Sequence, residues 1–130
     1  MNTKSVAIAF SMVSSFGLMC FSAYAQKGYF NLVGSWTGSP DCPINIYRDD
    51  GRRVLGDCYN GTYDHIFIGR YSGNDRINLK VYRIDPNDCI TSVNASLRVI
   101  NSDRLSYQQQ GWSGCGVQTP GASQTWVRRK

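Results

Sequence analysis

A chain of 130 residues with 42% hydrophobic and 18% charged residues is sized for a single domain and is too apolar to be disordered. Fourteen Lys and Arg against nine acidic residues leave a net charge of +5, a mildly basic protein. All nine acids are aspartates and there is one histidine, so the groups that most hydrolytic and acid–base enzymes use are scarce, which argues against catalysis.

The first 25 residues read as an export signal. Lys4 supplies a short positive start, Val6 to Phe21 is mostly apolar or small, and Ala23-Tyr24-Ala25 presents the small residues that signal peptidase cuts after. The apolar stretch is interrupted by Ser11, Ser14 and Ser15 and is short for a membrane span. Cys20 follows Leu18-Met19, where a lipid-anchor signal would need a small residue. The reading is therefore residues 1–25 as signal peptide and 26–130 as one domain, periplasmic or secreted. Nucleic acid is a poor partner in that compartment.

The domain keeps Cys42, Cys58, Cys89 and Cys115, an even set that favours two disulfides over metal or redox chemistry. No two of these cysteines are two to four residues apart, and the only histidine is His65, so zinc spacing is absent. In CPINIYRDDGRRVLGDC a three-residue loop at 49–51 predicts a hairpin in which Cys42 faces Cys58. A loop at 101–103 predicts a second hairpin in which Cys89 faces Cys115, although Gly111, Gly114 and Gly116 are placed to break the ladder near that rung.

Period-2 alternation runs through most of the domain. Phe30, Leu32 and Gly34 share one face of a first strand. His65 and Phe67 oppose Ile66 and Ile68; Ile77, Leu79 and Val81 oppose Asn78, Lys80 and Tyr82. Val93, Ala95, Leu97 and Val99 oppose Asn94, Ser96 and Arg98, Leu105 and Tyr107 continue the pattern, and SQTWVRR ends it. Turns fall at Tyr59-Asn60-Gly61, at 72–75 and at Asp85-Pro86-Asn87-Asp88, the last read as a turn in preference to a calcium loop. About eight short strands with one wet face predict an all-β antiparallel fold, an up-and-down barrel or a sandwich, of which the barrel removes edge strands.

Candidate sites are few. Asp64 and His65 are adjacent in a strand and point to opposite faces, so they form no catalytic pair. Tyr107, Gln109 and Trp112 mix rings with an amide, a composition suited to sugar stacking or a protein hot spot. Arg52 and Arg53 belong to a scattered set of ten arginines that could present a basic face to an acidic protein or an anionic glycan. Asn60 and Asn94 head glycosylation acceptors, relevant in a eukaryotic host.

Gly34-Ser35-Trp36 on the first strand and Trp126-Val127-Arg128 on the last resemble the calycin group: lipocalins, avidins and small bacterial metalloprotease inhibitors, the last closest in size. The resemblance implies that Trp36 plugs the closed end of a barrel and that Arg128 crosses its indole. The inhibitors act through an extended N-terminal trunk, whose counterpart here is Gln26 to Asn31. No avidin ligand set matches, so biotin is not implied. The expectation is an exported barrel without cofactor or metal that binds an extracytoplasmic enzyme or toxin as an inhibitor or immunity-type protein. The alternative is a small ligand or glycan in the barrel.

Overall fold

The computed structural model describes residues 30–39 and 42–130, so the expected signal peptide and most of the expected trunk lie outside the described residues. Ten strands follow in chain order: β1 (Gly34–Ser39), β2 (Cys42–Asp49), β3 (Arg53–Tyr59), β4 (Asp64–Tyr71), β5 (Arg76–Ile84), β6 (Ile90–Asn101), β7 (Arg104–Gln109), β8 (Trp112–Gly114), β9 (Val117–Thr119) and β10 (Ala122–Arg128). Eight of them close an antiparallel barrel in which β1 to β7 pair in sequence and β10 returns to join β7 to β1. β8 and β9 form a separate two-stranded hairpin. Among the described residues no helix is long and apolar enough to cross a membrane.

The alternation explains the wall. Inward positions carry Ile44, Ile46, Val54, Ile77, Leu79, Val81, Leu97 and Leu105, all buried, while their strand neighbours face water. Gly69 lies inward between them, where a Cβ would sit 2.6 Å from Leu79 and 2.7 Å from Ile77, so the lumen has no room for a side chain there. Residues 30–33 do not extend β1. They fold across the base of the barrel, because Leu32 is buried there with its N–H on the Asp49 carboxylate at 2.9 Å. Trp36 is fully buried and donates its indole N–H to the Leu32 carbonyl at 2.9 Å. The Arg128 guanidinium lies 4.4 Å above the Trp36 ring and donates to the carbonyls of Val33, Asn31 and Ser102 at 2.9, 2.9 and 3.0 Å. One side chain thereby ties the entering segment, the β6–β7 turn and the last strand into a sealed base.

Both disulfides form, Cys42–Cys58 and Cys89–Cys115, and they are compatible with an oxidising extracytoplasmic compartment. Neither lies on the expected rung. In the first hairpin the register shifts between Ile46 and Arg48, so Asp49 pairs with Val54 and Ile44, not Cys42, faces Cys58. The shift follows from the turn. The Asp50 side chain accepts the N–H groups of Arg52 and Arg53 at 2.9 and 2.7 Å, and the Asp49 side chain accepts that of Gly51, whose φ is +82°. Cys42 sits two residues along the same inner face, and the Cα atoms are still only 5.4 Å apart. The second hairpin has the expected register from Ala95–Gln109 to Val99–Leu105. Its ladder then stops, and Cys115 lies in the tight turn between β8 and β9 with φ +54°. The bond to Cys89 thus anchors the small hairpin to the β5–β6 loop.

Candidate functional site

The strand directions put four connections at the end opposite the sealed base: β1–β2, β3–β4, β5–β6 and the long β7–β10 connection that carries β8 and β9. Between them lies the mouth, with a cavity of about 180 Å³. Its apolar surface is aromatic. Tyr107 stacks on Trp126 at 4.7 Å, and Phe67 meets Trp126 edge-on at 5.4 Å. Trp112, on β8, is buried and closes the opening beside His65, whose ring lies 6.0 Å away.

The polar lining has a direction. Trp126 can only donate, so Gln124 must turn its amide oxygen to the indole N–H, at 3.2 Å. Asn60 accepts the N–H groups of Thr62 and Tyr63 through its oxygen, and Gln109 accepts the Tyr107 hydroxyl at 2.7 Å. Asn60, Gln109 and Gln124 all line the cavity, each with its oxygen engaged and its NH₂ group without an acceptor among the described residues. The site is therefore rich in donors. Burial, with no nearby charge needed, pushes the Tyr107 hydroxyl pKa up, so the phenol keeps its proton.

Charge points the same way. Arg83, cross-strand partner of His65 on β5, is buried with its guanidinium 4.7 Å from the Tyr63 ring centroid and 4.4 Å from that of Trp112. No carboxylate of the described residues pairs with it. Burial, and secondarily the Arg83 charge, hold the His65 pKa below its ordinary 6.5 despite the opposing pull of Asp64. The imidazole is thus kept neutral at neutral pH beside a cation. His65 also contacts the Cys42 sulfur, at 3.8 Å, and the three ligand-type side chains Cys42, Cys58 and His65 converge. The two sulfurs are bonded to each other, which leaves the imidazole as the one ordinary metal donor of that group.

Tyr107, Gln109 and Trp112 are brought together at this cavity. Arg52 and Arg53 are not: they lie by the sealed base, at the far end of β3. Trp36 and Arg128 build that base. The sequence reading missed Asn60, Gln124, Phe67, Trp126 and Arg83 as mouth residues. Gln124 and Trp126 share an inward face two residues apart, a signal the period-2 pattern carries. Asn60 was read as a turn former, and Arg83 falls on the inward face of a strand where charge is not expected. No protein-family model, curated protein or solved structure matches this chain.

Proposed function

We propose that this protein is an exported barrel that binds one small, ring-bearing ligand in its mouth and carries out no chemistry on it. The observation that carries the reading is the cavity lined by the packed rings of Phe67, Tyr107 and Trp126 and by Asn60, Gln109 and Gln124, whose NH₂ groups have no acceptor among the described residues. Such a site selects a ligand with acceptor oxygens, neutral or anionic, and the buried Arg83 charge disfavours a cation. The volume is below the roughly 300–1,000 Å³ of drug-sized pockets, which suits a single ring, a monosaccharide unit included. The signal-like residues 1–25 and the two disulfides support export, and the Trp36–Arg128 stack supports a calycin-like barrel.

Calorimetric titration tests this with methyl benzoate, benzoate, a methyl glucoside and benzylamine as probes. Saturable binding of at least one oxygen-bearing probe is expected, with benzylamine at least ten-fold weaker. Gln124→Leu should weaken the bound probe about ten-fold, the loss of one good hydrogen bond. Absence of saturable binding by all four, or indifference to Gln124→Leu, overturns the reading.

A second reading, an inhibitor or immunity-type protein for an extracytoplasmic enzyme or toxin, is favoured by exposed arginines on the outer wall. The wedge of such an inhibitor is not residues 30–33, since Arg128 holds the Asn31 and Val33 carbonyls against the base.

A further inference from the structure

Two cross-strand registers on the outer wall set arginine opposite arginine. Arg53 on β3 faces Arg70 on β4, and Arg76 on β5 faces Arg98 on β6. All four are exposed, because their chain neighbours Val54, Gly69, Ile77 and Leu97 fill the inward positions. None forms an ion pair among the described residues. Like charges directly opposite one another destabilise a sheet, so this arrangement opposes folding and needs another reason. Arg52 in the β2–β3 turn and Arg104 at the start of β7 extend the row around the base.

The nearby acids do not neutralise it. Asp50 pairs with Arg48, and Asp103 with Arg128 and Lys130, while Asp49 faces Leu32 and Tyr71. Among the described residues Asp75 remains at this end, one carboxylate against six guanidinium groups, while Asp57, opposite Ile66, lies on the same face farther toward the mouth. A cleft of about 570 Å³ opens among Arg52, Arg53 and Arg70, with Asp50 at its edge engaged by the Arg52 and Arg53 N–H groups, and it is wide enough to admit a carboxylate side chain. Next along the same face, toward the mouth, Leu55 lies opposite Ile68 and Ile66 opposite Tyr82, with Ile68 42% exposed.

We propose that the outer face of β3 to β6 docks an acidic protein surface, with Leu55, Ile66, Ile68 and Tyr82 at the centre of the contact and the arginines on its rim. An anionic glycan would engage the guanidinium groups and leave the aliphatic patch in water. A protein uses both, since interfaces combine an apolar, tyrosine-enriched centre with a polar rim whose charges match the partner's. This proposal deepens the protein-binding reading and does not depend on a ligand in the mouth.

The test places a photoreactive side chain at Ile68, and as control at Thr125 on the opposite strand β10, in the cells that produce the protein. The expected result is one adduct from Ile68, with a protein of acidic surface, at least ten-fold above Thr125. It should fall at least ten-fold in the double variant Arg70→Glu, Arg98→Glu, and likewise in the milder Arg70→Gln, Arg98→Gln. Circular dichroism of both variants checks that the barrel is intact. No adduct, an equal adduct from Thr125, or one that survives both double variants overturns the proposal. Heparin is the glycan probe: arginine-dependent retention on heparin without an Ile68 adduct assigns the face to a polyanion and also overturns it. The probes of the mouth remain bound or unbound in these variants irrespective of that outcome, so the two readings fail separately.

Discussion

His65 shows how one residue can carry both a structural and a chemical consequence. It points inward because β4 alternates, and it then shares the mouth with a buried guanidinium and the ring of Trp112. Its folded-state pKa lies below 6.5, mainly through burial, so the unfolded chain takes up the proton more readily than the barrel does. The stability this group contributes is complete above about pH 6.5 and is lost as the pH falls below that value. Urea midpoints measured from about pH 7.5 down to about pH 5 should therefore decline in the native protein. His65→Gln should remove that decline, because the carboxylates titrate lower. A decline of equal size in His65→Gln would assign the acid sensitivity elsewhere. Arg128 is the opposite case, a charge whose position was legible. The resemblance to calycins implied a stack of Arg128 on Trp36, and that is the contact found, although its three carbonyl partners belong to segments the sequence could not bring together.

At the scale of elements, the β8–β9 hairpin is the part most exposed to perturbation. Two strands of three residues each cannot stand alone in water. The hairpin is held by Trp112 against Arg83 and His65 and by the Cys89–Cys115 bond. The first disulfide lies within the barrel wall and constrains a short loop, worth about 3 kcal/mol in the chain-entropy model. The second fastens a lid. Replacing Cys89 and Cys115 by serine should leave the barrel folded, shift the Trp112 emission toward that of an exposed indole, and weaken mouth binding at least ten-fold. Emission and affinity equal to those of the native protein would show that the ring contacts alone hold the hairpin. Gly111, Gly114 and Gly116 hinted at an interruption here, but no alternation in so short a stretch announces a hairpin that folds back over a cavity.

For the whole molecule, the decisive event is closure. β1 and β10 meet through a short ladder, Trp36 with Arg128 and Thr37 with Val127, extended by the Arg129 N–H on the Ser35 carbonyl at 2.8 Å. By contrast β5 and β6 pair over nine residues each, from Arg76–Arg98 to Ile84–Ile90. Native-state hydrogen exchange should open the β1–β10 seam before the β4–β5–β6 sheet, with Thr37 and Val127 amides exchanging ahead of those of Leu79 and Val81. Uniform protection around the barrel would show instead that the base contacts of Arg128 make closure as strong as the meander. The face proposed for docking is also a property of the whole. Arg53, Arg70, Arg76 and Arg98 are scattered along the chain and become neighbours only through three consecutive hairpins.

The sequence by itself determined the all-β antiparallel class, the cysteine partners and the inward residues of the long strands. These depend on a two-residue period, on turn chemistry and on an even count of cysteines, all local or nearly so. Only the tertiary structure decided the register of the first hairpin, the lid over the mouth, the donor-rich lining and the arginine face. Each of these depends on which residues from separate strands share a rung or a cavity. A shift of one residue at a turn, such as the one set by Asp49 and Asp50, moves every partner beyond it, and that balance among side-chain hydrogen bonds, packing and chain closure is not written in any single segment.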